Sequence, residues 1–310
     1  EEVVCLVGAD TIDTQNALSA DGIFFVSLDP PRSLYESYLI EAVVDGNSVT
    51  AYSQSAIEIE LEPLPGGLVL GPNWINDQMT LAVYAPSQPV MQLIISPAGA
   101  TGSNSDALVM KKATGLDDVW WLELDLPDGQ YDYEYMLLDG TRIPDPLSRR
   151  LENNRTRIEI GSGGISTADD YQWLSGDYIR PDLDTLIIYE IHIDDYAAVG
   201  DGQGRFDHII DKLDYIKSIG INAIELLPVT DFPGTHSWGY DPNLISAVES
   251  NYGTPEDFKL LVDQAHLRGI AVIMDIVWNH IRSSSPIWQI QPDYNLNPYI
   301  KLHNELNPNE

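Results

Sequence analysis

Apolar positions along the chain change their rhythm near residue 185. Before it they fall in short runs punctuated by Pro, Gly, Asp and Asn. After it, near-continuous runs alternate with helical spacing. In residues 1–64, Ile23 to Leu28 and Ile57 to Leu61 predict short strands, and Asp45-Gly46-Asn47 predicts a hairpin turn. That is the pattern of a small β-domain, whole or partial, and it carries no chemistry. Pro65-Gly66-Gly67 opens a second β-rich block, residues 65–165. Its strands are expected at Thr80 to Tyr84, Val90 to Ile95, Val119 to Leu124 and Tyr131 to Leu138, spacing that predicts a β-sandwich. Tyr131, Tyr133 and Tyr135 alternate with polar residues, so a strand places all three on one face, after a strand carrying Trp120 and Trp121. They read either as sandwich core with aromatic cross-strand pairs or as a platform for stacking sugar rings.

Residues 166–184 form a polar connector, and the pattern then changes. Leu186 to Ile193 is an apolar run of the kind a strand covered on both faces requires. Phe206, Ile209, Ile210, Leu213, Ile216 and Ile219 recur at helical spacing up to Gly220, and Ala223 to Val229 predicts a second strand. Thr254-Pro255-Glu256-Asp257 has the signature of a helix start; Phe258, Leu261, Val262 and Ala265 follow as its buried stripe, and Gly269 ends it. Ile270 to Val277 predicts a third strand. Strand, helix, strand, helix, strand implies a parallel sheet with right-handed crossovers, whose chemistry belongs at the carboxyl ends of the strands. The connection from Thr230 to Gly253 is long for such a unit, and loops of that length are usually functional.

Composition narrows the classes. At 310 residues and 44% apolar, the chain is expected to fold as two or three domains. Its 48 acidic against 16 basic side chains leave a net charge of −32. That field repels nucleic acid and costs a neutral sugar nothing. The excess otherwise reads as a well-solvated acidic surface, one that would suit a saline habitat. One cysteine, Cys5, excludes an internal disulfide, and the residues before it lack the apolar segment of a lipid-anchor signal. No apolar run reaches the ~18 residues of a membrane span. The start at Glu1 and the sandwich-rich build suggest export, to an extracellular or periplasmic location.

Candidate chemistry concentrates in two knots, Ser237-Trp238-Gly239-Tyr240-Asp241-Pro242 and Asp275-Ile276-Val277-Trp278-Asn279-His280. His280, just past the third strand, reads as structural or functional. Asp275 ends an apolar strand, where a charge needs a partner. Trp238 and Tyr240 flank Gly239 as an aromatic pair suited to sugar stacking, unless Trp238 only anchors the loop. His192 and Glu225 interrupt apolar strands and read as polar residues of a barrel interior.

These knots, with Tyr189-Glu190-Ile191-His192, the run from Ile219-Gly220-Ile221 through Ala223 to Val229, and Asn251-Tyr252-Gly253-Thr254-Pro255-Glu256-Asp257-Phe258, resemble in order and spacing the start of the alpha-amylase (glycoside hydrolase family 13) barrel. The likeness is to its branching-enzyme, pullulanase and isoamylase side. The block from Gly129 to Tyr135 through Asp139-Gly140 to Asp145-Pro146 resembles the family's N-terminal module, a family 48 carbohydrate-binding type. The resemblance implies a multidomain chain: an immunoglobulin-like β-sandwich, then the first three strands of a (β/α)8 TIM barrel over residues 185–310. It also implies retaining chemistry on an α-glucan, by hydrolysis or transfer, with one carboxylate attacking and another protonating the leaving oxygen. It makes Tyr240, His280 and Trp238 substrate-binding, Asp275 and Asp241 supporting, and Asn279 a calcium position. The catalytic carboxylates belong to the fourth, fifth and seventh strands and are expected beyond Glu310, so neither Asp241 nor Asp275 is assigned that role. A non-catalytic α-glucan-binding protein is the alternative.

Overall fold

The computed structural model describes residues 59–300 except 103–105, 117, 162, 167–169, 198–202 and 298; within 2–53 it describes only the backbone of four strands. Those are β1 (Glu2–Val7), β2 (Asp10–Gln15), β3 (Tyr38–Val44) and β4 (Asn47–Ser53), antiparallel in the order β2-β1-β3-β4. Val44 faces Asn47 across the β3–β4 connection. Asp45, Gly46 and the expected strand Ile23 to Leu28 lie outside the described residues, as do residues 57 and 58 of the expected strand ending at Leu61.

Residues 61–165 build two sheets. One runs β5 (Leu61–Glu62), β10 (Lys111–Ala113), β11 (Val119–Leu124), β7 (Gln78–Tyr84), β6 (Gly71–Ile75). The other runs β14 (Leu151–Glu152), β15 (Arg155–Gly161), β12 (Gly129–Met136), β8 (Gln92–Pro97), β9 (Leu108–Val109), with β13 (Arg142–Ile143) on β12 and β16 (Gly164–Ile165) on β15. A single core joins them: Met79, Leu81, Val83 and Trp120 from the first meet Leu93, Tyr131, Tyr133, Tyr135 and Ile160 from the second. Strand alternation sends neighbouring Trp121 to the opposite face, against Ala82 and Ala113.

The three tyrosines are therefore core and not a sugar platform; Tyr133 and Tyr135 are fully buried. Their hydroxyls need partners there, and both donate to Asp145 Oδ2, at 2.8 and 3.0 Å. The Leu147 amide donates to Oδ1 of the same carboxyl at 2.8 Å. Burial raises the pKa of Asp145 and, with the adjacent carboxyl, that of both tyrosines.

After the connector, β17 (Ile188–Ile191), β18 (Ala223–Leu226) and β21 (Ala271–Met274) form a parallel sheet in that order. Between them lie α1 (Ile193–Ala197), α2 (Phe206–Ile210), α3 (Leu213–Ser218) and α4 (Pro255–Leu267). The helix expected from Phe206 to Ile219 breaks at Asp211–Lys212, where the Lys212 amide turns back to Ile209 O. Its stripe survives the break, since Phe206, Ile209, Leu213 and Ile216 are all fully buried. Thr254 and Asp257 form the capping box that starts α4.

Ile191, Ile224 and Leu226, with Tyr189 and Val272, pack on this helical layer. The other face was expected to be covered too. Among the described residues it leaves Ile188 and Glu190 exposed, being the face a closed barrel turns inward. The long connection is not structureless: β19 (Thr230–Asp231) pairs antiparallel with β20 (Leu244–Val248), so only residues 232–243 loop out.

The two units dock. Ile290, after α5 (Pro286–Gln289), is buried in the sandwich core, and Gln88 Nε2 donates to its carbonyl at 2.7 Å. Leu151 of the sandwich buries against Leu244 and Ala247 of β20. This places the sandwich directly behind the loop that carries Tyr240.

Asp145→Ala strands two buried hydroxyls and should cost roughly 2–5 kcal/mol of stability. Urea unfolding followed by tyrosine and tryptophan fluorescence measures it, and an unshifted midpoint would contradict the reading of Asp145 as the sandwich's polar anchor.

Candidate functional site

Both knots emerge on the same side of the sheet, beyond the carboxyl ends of β18 and β21, and they are tied to each other. Tyr240 Oη donates to Asp275 Oδ2 at 2.6 Å. That bond, with partial burial and the nearby Glu190 and Glu225, pushes the phenol up to about 12, so Tyr240 is a neutral donor at any physiological pH. Its partner Asp275 sits immediately past β21, held by its own amide to Leu226 O at 3.0 Å.

His280 Nε2 lies 2.7 Å from the Tyr240 carbonyl. A carbonyl can only accept, so Nε2 carries the proton, and in the neutral ring Nδ1 is left as an acceptor. Tyr240 is 40% exposed and Trp238 62%, so neither is merely core packing, and Trp238 is not consumed in anchoring its loop. Trp278 of the second knot is 70% exposed, a third aromatic at this mouth that sequence reasoning passed over.

The turn that presents Tyr240 is built around Asp241. Ser237 Oγ donates to Asp241 Oδ1 and accepts from the Gly239 amide at 3.0 Å. Gly239 has φ +82, and a Cβ there would run into the Pro228 carbonyl, so the position requires glycine. Arg282 reaches Asp241 Oδ2 from Nε at 3.1 Å and from a terminal nitrogen at 2.5 Å. Burial alone would raise the Asp241 carboxyl, but the bonds from Ser237 and Arg282 outweigh it and hold the pKa below the usual range.

His192, expected as a barrel-interior residue, lies at the edge of this loop. Its Nε2 donates to Ser237 O at 2.9 Å. Its Nδ1 is 2.8 Å from Asp195 Oδ2 but off the line that a hydrogen bond needs. Glu225 lies with Glu190 beneath Tyr240.

Under the loop sits a pair of carboxyls that the sequence did not flag. Glu249, 1% exposed, accepts from the amides of Asn251 at 2.8 Å and Phe232 at 3.2 Å. Asp231, 8% exposed, accepts from Asn243 Nδ2 at 2.9 Å. Burial, reinforced by the Glu249 charge, lifts Asp231 to about 7.

Asn279 is exposed. Among the described residues no group of three or more His, Cys, Asp or Glu is gathered to hold a metal, and one amide oxygen does not make a calcium site.

A parallel strand–helix unit with a polar, aromatic-rimmed mouth at the strands' carboxyl ends defines the opening part of a β/α-barrel domain. Residues 191–299 match the family described as "Alpha amylase, catalytic domain". The chain is 39% identical over 150 residues to malto-oligosyltrehalose trehalohydrolase of Saccharolobus solfataricus, covering 48% of this chain and 25% of that protein. It is 31% identical over 194 residues to the 1,4-alpha-glucan branching enzyme GlgB of Corynebacterium glutamicum, covering 59% of this chain and 25% of that one. Among solved structures, a putative alpha amylase from Salmonella typhimurium superposes with a TM-score of 0.60 at 27% identity, over 73% of this chain and 36% of that chain. Pullulanase of Paenibacillus barengoltzii shares the fold, with a TM-score of 0.57 at 21% identity, over 74% and 40%. The chain thus spans about a quarter to a third of the length of its curated relatives. Among the described residues, no helix is long and apolar enough to cross a membrane.

Asp231 yields a signed pH effect. Its folded-state pKa of about 7 lies above the ordinary 3.8, so the fold prefers the protonated form. That contribution is full below pH 3.8 and is lost as pH rises toward about 7. Asp231→Asn should therefore melt higher than wild type at pH 8, with the gap narrowing as pH falls through this window. A constant gap across pH 4–8 would show that Asp231 does not titrate as described.

Proposed function

We propose that this chain contributes the substrate-gripping front of an α-glucan-active enzyme, a retaining glycosidase or transglycosylase. The observation that carries the reading is the convergence of Tyr240 and His280, from loops 40 residues apart, into one hydrogen-bonded unit at the barrel mouth. The exposed ring of Tyr240 offers a flat apolar face to a pyranose, with Trp238 beside it in the loop. His280 Nδ1 then accepts from a sugar hydroxyl. Asp275 holds the Tyr240 hydroxyl, fixing the ring plane, and Asp241 shapes the turn. The names of the relatives, a malto-oligosyltrehalose trehalohydrolase and a 1,4-alpha-glucan branching enzyme, support an α-linked glucan as ligand.

The net charge of −32 favours a neutral polysaccharide over nucleic acid. The sandwich joins this reading as a family 48-type, immunoglobulin-like module; with its tyrosines buried, any sugar it touches meets another surface. The attacking and protonating carboxylates of the retaining reaction are assigned to no residue of this chain, and the site is a binding half. An exported enzyme remains part of the proposal.

Titration calorimetry of residues 1–310 with maltotetraose should show binding that cellotetraose does not. Tyr240→Ala or His280→Ala should weaken it by about tenfold, the loss of one stacking or hydrogen-bonding contact. Equal binding of both sugars, or none of either, would overturn the α-glucan reading. The same polypeptide should release no reducing sugar from starch or pullulan, and measurable turnover would contradict the placement of the catalytic carboxylates.

A further inference from the structure

Besides the Tyr240–Asp275 bond, three links cross between the Ser237–Pro242 turn and the segment after β21. Two use the backbone: His280 Nε2 to Tyr240 O at 2.7 Å, and the Arg282 amide to Pro242 O at 2.9 Å. The third is the guanidinium of Arg282, both of whose contacting nitrogens converge on Asp241 Oδ2. Asp241 is spoken for on its other oxygen by Ser237, whose hydroxyl also receives the Gly239 amide. One cation therefore closes a chain of bonds that runs through Asp241 and Ser237 to the Gly239 amide.

We propose that Arg282 is a positioning residue for sugar binding: by clamping Asp241 it fixes the turn that presents Tyr240 and locks it against His280. The proposal rests on the reading of Tyr240 and His280 as glucan contacts, and adds the residue that aligns them. Its magnitude argues against a role in global stability. The Arg282 side chain is 55% exposed and that of Asp241 24%, and ion pairs so near water contribute little to folding. The same small energy acts differently at a loop whose ring must meet a sugar face to face, because a displacement of about 1 Å there is enough to lose a well-aligned contact. A lysine would keep the charge but not the forked approach from two nitrogens.

The test uses the full 310-residue chain, with maltotetraose as the probe. Arg282→Ala should raise the dissociation constant roughly three- to fivefold while the melting temperature stays within about 2 °C. Arg282→Lys should recover part of the loss. Arg282→Ala combined with Asp241→Asn should bind no more weakly than Arg282→Ala alone, because the two act through one contact. Without ligand, hydrogen–deuterium exchange over residues 237–242 should quicken in Arg282→Ala while α4 stays unchanged. Wild-type binding by Arg282→Ala, or additive losses in the double variant, would overturn the proposal. If the unmodified chain shows no binding of maltotetraose, it is the glucan reading that fails. The exchange measurement then decides the clamp: unchanged protection of residues 237–242 refutes it, and faster exchange supports it.

Discussion

The hydrogen bond from Tyr240 to Asp275 is the contact on which the site depends. Asp275 ends an apolar strand, where an unpartnered carboxylate would be costly. Tyr240 sits on a loop that leaves the neighbouring strand and would otherwise be free to swing. Each satisfies the other at 2.6 Å, and the aromatic ring is left standing at the mouth with its face exposed. The parallel sheet makes this possible, because strands running the same way deliver successive loops to the same end. The backbone bond from His280 to Tyr240 then completes a surface assembled from two loops.

Behind that surface the support comes from the sandwich. Ile290 inserts into the sandwich core, and Leu151 packs against β20, the strand that returns the Tyr240 loop to the sheet. The loop is thus backed on one side by β19 pairing and on the other by a second domain. The buried Asp231 and Glu249 lie in this backing, satisfied by amides and by Asn243, so their cost is partly offset by order in the loop's base. Fold and site are coupled here: residues away from the mouth decide how firmly it is held.

Much of this was legible in the residue pattern, and the reasons differ by element. Val119 to Leu124 was placed to the residue because Pro, Gly and Asp bound it closely; α4 was placed because Thr254 and Asp257 cap it reciprocally. The parallel strands are shorter than their apolar runs, since residues such as Pro228 and Ile276 continue the composition after pairing has ceased. The break between α2 and α3 left no trace in a stripe that stays buried across it. Tyr240, Asp275 and His280 were visible as knots at strand ends. Arg282 was not, because an arginine two residues past a histidine signals nothing until folding brings Asp241, 41 positions earlier, within reach. Asp231 and Glu249 look like the rest of a strongly acidic sequence, and only burial sets them apart.

A crystal structure of this chain soaked with maltotetraose tests the central claim most directly. The account predicts one glucose ring lying flat on the Tyr240 face, with a hydroxyl within hydrogen-bonding distance of His280 Nδ1 and the Tyr240–Asp275 bond intact. A sugar seated only on the sandwich, or Tyr240 and His280 turned apart around an empty mouth, would contradict it.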